Sequence, residues 1–190
     1  MAKIAFCVTG SFCSFAAVFP VMEELCAAGH ELRAIFSANA YSLDTRFGLA
    51  ADWVSRAEKC SGKEVWHTIP QAEPIGPGRL FDCLIIAPCT GGSLGKLARG
   101  ITDTAVTMAA KAQLRNERPV LIGVATNDGL SGSAQSLGRL LNARNIYFIP
   151  FGQDDAQGKP RSLVADFGQT AQALEQALLG RQIQPLLAKK

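Results

Sequence analysis

The chain has 190 residues, 48% of them apolar and 18% charged, and carries a net charge of +3. That length supports one ordinary domain with a full hydrophobic core, and the composition excludes disorder, a coiled coil and a nucleic-acid-binding tail. So small a positive charge implies no polyanionic partner, and a small anion would need a local site.

The first stretch, from Lys3 to Met22, is largely apolar and could pass for a secretory leader. Gly10 and Ser11 interrupt it, Pro20 divides its end, and Glu23 and Glu24 follow at once, so the expectation is a soluble, cytoplasmic protein. No apolar run reaches the length of a membrane span. Six cysteines (Cys7, Cys13, Cys26, Cys60, Cys83 and Cys89) sit mostly in apolar runs with no C-x-x-C pair. They read as reduced thiols, neither a disulfide frame nor a zinc site.

In chain order, Ile4 to Thr9 reads as a buried strand ending at Gly10. Ser14 to Ala28 carries Phe15, Val18, Phe19, Met22, Leu25 and Cys26 at helical spacing, closed by Gly29. Glu31 to Phe36 is a second strand, and Leu49 to Cys60 a short helix stopped near Gly62. Pro70 to Arg79 holds too many breakers for a regular element. Phe81 to Ala87 is a buried strand, Ser93 to Gly100 and Asp103 to Asn116 are helices, and Pro119 to Ala125 is another strand. Ser133 to Asn142 reads as a helix, Ile146 to Ile149 as a short strand, and Pro150 to Arg161 as a loop. A last helix places Phe167, Ala171, Leu174 and Leu178 on one stripe. Alternating strands and helices, with strands lacking polar alternation, predict a single α/β domain over residues 1–190: a three-layer, flavodoxin- or Rossmann-like parallel sheet with helices on both faces.

Ligands of such sheets bind beyond the carboxyl ends of the strands. The tips here are Gly10 to Ser14, Ser37 to Asn39, Pro88 to Ser93 and Thr126 to Gly129, all rich in glycine, hydroxyl or amide groups and poor in charge. That chemistry suits a phosphate held by backbone N–H groups, hydroxyls and a helix N-terminus; the bland alternative makes Ser14 and Ser93 simple helix caps. The first tip lacks the second and third glycines of a dinucleotide fingerprint, and Gly95-Lys96 lacks the first glycine and the hydroxyl of a P-loop. Gly91 to Gly95 matches G-x-S-x-G, but three residues separate it from the expected strand and both histidines, His30 and His67, precede Ser93, against hydrolase order. Two distant histidines make no metal site. His67 is the one plausible imidazole acid or base, and Asp103, placed between two helices, can cap the second or orient a ligand. Cys89 lies near a helix N-terminus, where a thiolate is favoured, but packing explains it better.

These residues resemble a family. Ala87 to Ser93, followed by Lys96 to Asp103, is similar to the A-P-A-(S/T)-A-N-T and K-x-A-x-G-I-A-D-N-L-L blocks of the homo-oligomeric flavin-containing Cys decarboxylase superfamily, which includes the flavin prenyltransferases. Gly10-Ser11 through Ser14, and Ser37, match its phosphate-binding loops. Within it, A-E-P-I-G-P from Ala72, M-A-A-K-A-x-L-R-N from Met108, A-T-N-D from Ala125 and N-I-Y-F-I-P-F-G-Q-D from Asn145 resemble the B subunits of dipicolinate synthases.

The resemblance implies bound FMN, with Gly10, Ser11, Ser14 and Ser37 at the phosphate and Pro88, Thr90, Gly91, Ser93, Asp103 and Asn127 near the ring. It further implies a trimer or a multiple of one. The partner would be the dipicolinate synthase A subunit, carrying NAD(P), and together the two would oxidise dihydrodipicolinate during spore formation in the mother cell. Lys159 and Arg161 could clamp the dicarboxylate, or be solvated loop charges. The pattern departs at Gly92 and Thr104, each where the decarboxylases carry Asn, at the long loop separating His67 from Phe81, and at Thr126, where prenyltransferases carry Arg. An FMN-dependent decarboxylase and a non-catalytic assembly partner of the A subunit therefore stand as alternatives.

Overall fold

The computed structural model describes residues 1–188 and shows how the apolar runs assemble. β1 (Lys3–Val8) is buried throughout except at Lys3, and passes through the 3-10 turn Phe12–Ser14 into α1 (Phe15–Ala27). β2 (Glu31–Phe36), α2 (Ala38–Ser42) and α3 (Ala50–Ser61) follow. Gly62, at φ +66°, ends α3 in the left-handed conformation that a side chain disfavours.

The Pro/Gly-rich stretch departs from its expected lack of order. Thr68 and Gln71 form a capping box that starts α4 (Ile69–Ala72), and Pro74 leads into α5 (Ile75–Gly78). Proline is tolerated at such first-turn positions, and each helix lasts only about one turn, so the breakers punctuate these helices without preventing them.

β3 (Cys83–Cys89) is wholly buried and extends two residues beyond the expected strand. α6 (Gly91–Arg99), α7 (Ala105–Arg115), β4 (Val120–Thr126), α8 (Ala134–Leu141) and β5 (Ile146–Phe148) complete the alternation. Two short strands, β6 (Phe151–Gly152) and β7 (Leu163–Ala165), precede α9 (Thr170–Leu178).

Strands β2, β1, β3, β4 and β5 lie side by side in that order, all parallel. This is the flavodoxin-like order, whose chain reversal puts the crevice between the tips of β1 and β3. The sheet is not wholly parallel, however. β5 pairs with β4 only from Val120 to Ile122, and the upper part of that edge, Ala125 and Thr126, takes β7 antiparallel. β6 then pairs antiparallel with β7. The loop expected from Pro150 to Arg161 thus belongs to a hairpin that covers a sheet edge otherwise open to pairing.

The core is one cluster filling both faces of the sheet. On one face Phe15, Phe19 and Phe36 pack with Trp53 of α3, at ring separations of 4.7 to 6.2 Å. Among the described residues no helix is long and apolar enough to cross a membrane.

Candidate functional site

Where β1 and β3 end, their tips remain joined. The Thr9 hydroxyl donates to the Pro88 carbonyl at 2.7 Å and accepts the Thr90 N–H at 3.0 Å. This bond pair carries the β1–β3 spacing past the last ladder residues, and the two tips diverge above it into a cleft of about 740 Å³. That volume lies within the range of small-molecule and cofactor sites.

Three tips and the late hairpin wall the cleft. Gly10 to Ser14 come from β1, Thr90 to Gly92 from β3, Ala125 to Asp128 from β4, and Asp154, Lys159, Ser162 and Val164 from the hairpin; Phe47 closes one side. The donors are mostly neutral. Ser11 Oγ and Ser14 Oγ lie 3.3 Å apart at the mouth of the turn leading into α1. Thr90 caps α6 by accepting the Ser93 N–H at 3.3 Å. The N–H groups of Gly91 and Gly92, in that first turn, lie before the first intrahelical bond, where an anion is favoured. A Cβ at Gly92 would meet nothing within 4 Å, so the backbone there is open to the cleft.

Gly91 serves a different purpose. A Cβ there would fall 2.5 Å from Ser133 Oγ, 2.7 Å from Thr126 Oγ1 and 2.8 Å from Asp128 Oδ1. The missing side chain lets the Thr126–Asp128 tip lean on the start of α6. Thr126 donates to Asp128 at 2.5 Å, and this bond, against the opposing effect of burial and with help from Ser133, holds the Asp128 carboxyl below its ordinary value of 3.8. A depressed folded value stabilises the fold above the ordinary value, and that contribution is lost as the pH falls through the folded one. Asp128→Asn is therefore expected to lower the unfolding midpoint near neutral pH, by an amount that shrinks as the pH falls below the ordinary carboxyl value of 3.8. Thermal unfolding across that range checks it; a loss independent of pH would mean that shape, not charge, matters.

Asp154 accepts from Lys159 at 3.2 Å across the cleft rim. Burial opposes its charge, but the nearby Ser162 hydroxyl and the Lys159 ammonium prevail and hold the carboxyl below its usual range.

The sequence-derived candidates divide by position. Gly10, Ser11, Ser14, Thr90, Gly91, Asn127 and Lys159 meet at the cleft. Ser37 lies beside it, capping α2 through the Ala40 N–H at 3.3 Å, while the adjoining Asn39 comes within 3.5 Å of a Cβ at Gly10. Pro88 is in β3, joined to Ala87 by a cis peptide, and Ser93 is inside α6, hydrogen-bonded with Thr90. Neither Ser14 nor Ser93 is a side-chain cap. β3 runs to Cys89, so the strand does enter the glycine turn almost directly, contrary to the expected three-residue gap.

Asp103 does not cap the following helix. Thr104 does, by accepting the Thr107 N–H at 3.1 Å, and Asp103 instead pairs with Lys96 at 2.9 Å outside the cleft. His67 stacks on Tyr41 with ring centroids 3.7 Å apart, and neither ring lines the cleft. Arg161 is exposed and also off the cleft wall. Cys89 is fully buried, and burial pushes its thiol well above the ordinary range, in keeping with packing. Asp128 falls within a predicted tip, yet nothing in the sequence marks it as the prop of α6. Phe47 and Ser162 carry no signal, one in an irregular loop and the other in a hairpin with strands too short to read, while Asp154 closes the motif that starts at Asn145 without any sign of a place at the cleft.

Comparison with known proteins agrees with this architecture. The Flavoprotein family profile matches residues 1–165. The chain is 48% identical to the dipicolinate synthase B subunit of Bacillus subtilis (strain 168), over 98% of this chain and 94% of that protein. The crystal structure of the dipicolinate synthase B subunit from Bacillus halodurans superposes with a TM-score of 0.91 at 40% identity, covering 100% of this chain and 97% of that one. Burkholderia xenovorans DmrB, solved in complex with FMN and described as a cubic protein cage for redox transfer, shares the fold at a TM-score of 0.69 and 20% identity, covering 94% of this chain and 96% of that one.

Proposed function

We propose that this chain, which belongs to the Flavoprotein family, is the FMN-binding B subunit of a dipicolinate synthase, working with the nicotinamide-binding A subunit to oxidise dihydrodipicolinate. The observation that carries the reading is the near end-to-end 48% identity to the B subunit of such an enzyme. The cleft supports the cofactor by its chemistry. A phosphate monoester is suited to the Gly10–Ser14 mouth, where hydroxyls and the first N–H groups of a helical turn converge without a fixed lysine. The Phe12 and Phe47 rings and Val164 offer apolar wall to an aromatic ring system, and the Gly91 and Gly92 backbone offers donors to its polar edge.

Aromatising a dihydropyridine dicarboxylate removes a hydride and a proton, and bound flavin would supply a hydride acceptor. This chain's own part is to bind and orient. Lys159 is placed to exchange Asp154 for a substrate carboxylate, while Asp128, bonded to Thr126, holds the shape of the β4 tip beside Gly91. Arg161, off the cleft wall, would serve the dicarboxylate only if the hairpin moved. Ser37 would add a hydroxyl at the neighbouring tip. The setting would be the mother-cell cytoplasm of a sporulating bacterium, with this chain in a homo-oligomer.

The test pairs a spectrum with an assay. Purified chain, incubated with FMN and desalted, is expected to retain visible flavin absorbance, and Ser11→Ala to retain less. Synthesis of dipicolinate in the presence of the A subunit is expected to fall in step. Full synthesis by protein shown to be flavin-free would overturn the FMN role and leave an assembly partner. Carbon dioxide released from a carboxylate substrate when the A subunit is omitted would instead identify a decarboxylase.

A further inference from the structure

Two of the six cysteines face each other away from the cleft. Cys26, in the last turn of α1, and Cys60, in the last turn of α3, are 34 residues apart in sequence, yet their sulfurs lie 2.6 Å from one another. The facing is imposed by the surrounding packing. Phe19 of α1 and Trp53 of α3 have ring centroids 4.7 Å apart, and Arg56 of α3 forms a two-pronged ion pair with Glu23 of α1 at 2.6 and 2.8 Å. An aromatic contact and a bidentate ion pair on the same two helices leave the thiols little room to drift apart.

Both thiols are partly exposed, so a small oxidant can reach them. The other cysteines are differently placed. Cys7, Cys83 and Cys89 are fully buried in β1 and β3, while Cys13 is exposed in the first tip and faces no other thiol.

We propose that Cys26 and Cys60 form a reversible disulfide that fastens α1 to α3 when the protein meets a peroxide-class oxidant. The chemistry balances with hydrogen peroxide. The Cys26 thiolate attacks one peroxide oxygen, the O–O bond breaks, and the product is a sulfenic acid with hydroxide, which takes up the proton released by Cys26. The Cys60 sulfur then attacks the Cys26 sulfur, the S–OH bond breaks, and hydroxide leaves with the Cys60 proton as water. Two thiols are oxidised by two electrons in all and one peroxide is reduced to two waters. Burial first, and then the hydrogen bond with Cys26, push the Cys60 thiol up, so ring closure quickens as the pH rises.

The bridge would restrict the unfolded chain by closing a loop between the two cysteines. It would also fix the relative position of the two helices whose leading loops, Gly10–Ser14 and the segment containing Phe47, wall the cleft.

The experiment uses the full chain, reduced, desalted and treated with hydrogen peroxide, then alkylated under denaturing conditions and mapped by mass spectrometry. A linked peptide joining Cys26 to Cys60 is expected, with four of the six cysteines still alkylated, and dithiothreitol should restore the other two. The melting temperature should rise by roughly 5–10 °C on oxidation and return on reduction. Cys26→Ser and Cys60→Ser should each abolish that oxidation-dependent rise, whatever their own stability in the reduced state. Peroxide-treated protein in which Cys26 and Cys60 are both alkylated, or carry only separate sulfinic acids, would overturn the proposal. So would linkage confined to Cys13 between two chains.

Discussion

Phe19→Ala is expected to cost about 3–5 kcal/mol of unfolding free energy, enough to lower the melting temperature of a chain this size by about 10 °C or more. Phe19 is 1% exposed, at the middle of the layer between the sheet and α3. Its ring contacts Phe15 at 5.6 Å, Phe36 at 6.2 Å and Trp53 at 4.7 Å, and the Arg56 guanidinium lies 5.5 Å from its centre. Removing it would therefore take away buried apolar area and three aromatic contacts together. The space cannot readily close, because Phe36 is fixed by the β2–β1 ladder and Trp53, in the first turn of α3, is held edge-on against Phe15. Urea unfolding followed by Trp53 fluorescence reads the loss directly, since that indole would border the new cavity. A cost below about 1.5 kcal/mol would mean that α1 and α3 settle together and fill the space.

That aromatic layer also shows why much of the fold was legible. Phe15, Phe19, Met22 and Cys26 recur at helical spacing, and Ile4 to Val8 and Cys83 to Cys89 are continuous apolar runs of strand length. A parallel sheet buried on both faces has to read this way, so periodicity located β1 to β5 and the long helices to within a few residues. The hairpin of β6 and β7 has no such signal. Its strands hold two and three residues, and they pair because β5 leaves the upper edge of β4 open, a tertiary reason that no local window contains. The turns at Ile69–Ala72 and Ile75–Gly78 failed for the opposite reason: a capping box outweighed a composition dominated by proline and glycine.

The candidate site divides along the same line. Gly10 to Ser14 and Thr90 to Gly92 follow strands whose apolar runs mark their own ends, so the rule that ligands gather at strand tips finds them. Asp103 was placed by its position between helices, and only the three-dimensional arrangement shows Lys96 drawing it away while Thr104 takes the cap. Asp154 and Lys159 reach the cleft because the hairpin folds back over it. Long-range geometry decided the hairpin's part, whereas the Asp103 outcome turns on the direction of side chains no more than seven residues apart.

Gly92→Leu is expected to separate binding from stability more sharply than any other change in the cleft. Gly92 lies in the first turn of α6, where leucine is the better helix former by a fraction of a kcal/mol. A Cβ there meets no atom within 4 Å, so the substitution should leave the unfolding midpoint unchanged or slightly raised. The added side chain nevertheless projects from a residue of the cleft wall, beside the helix N-terminus offered to an anion or a polar ring edge. FMN affinity should therefore fall by at least about tenfold, corresponding to about 1.4 kcal/mol. Gly91→Ala makes the contrast. Its Cβ would press on Thr126, Asp128 and Ser133, so stability and affinity should fall together. Isothermal titration with FMN beside thermal unfolding reads both variants. Undiminished flavin binding by a stable Gly92→Leu protein would place the cofactor elsewhere on the chain, because no ligand lying against the start of α6 could ignore that side chain.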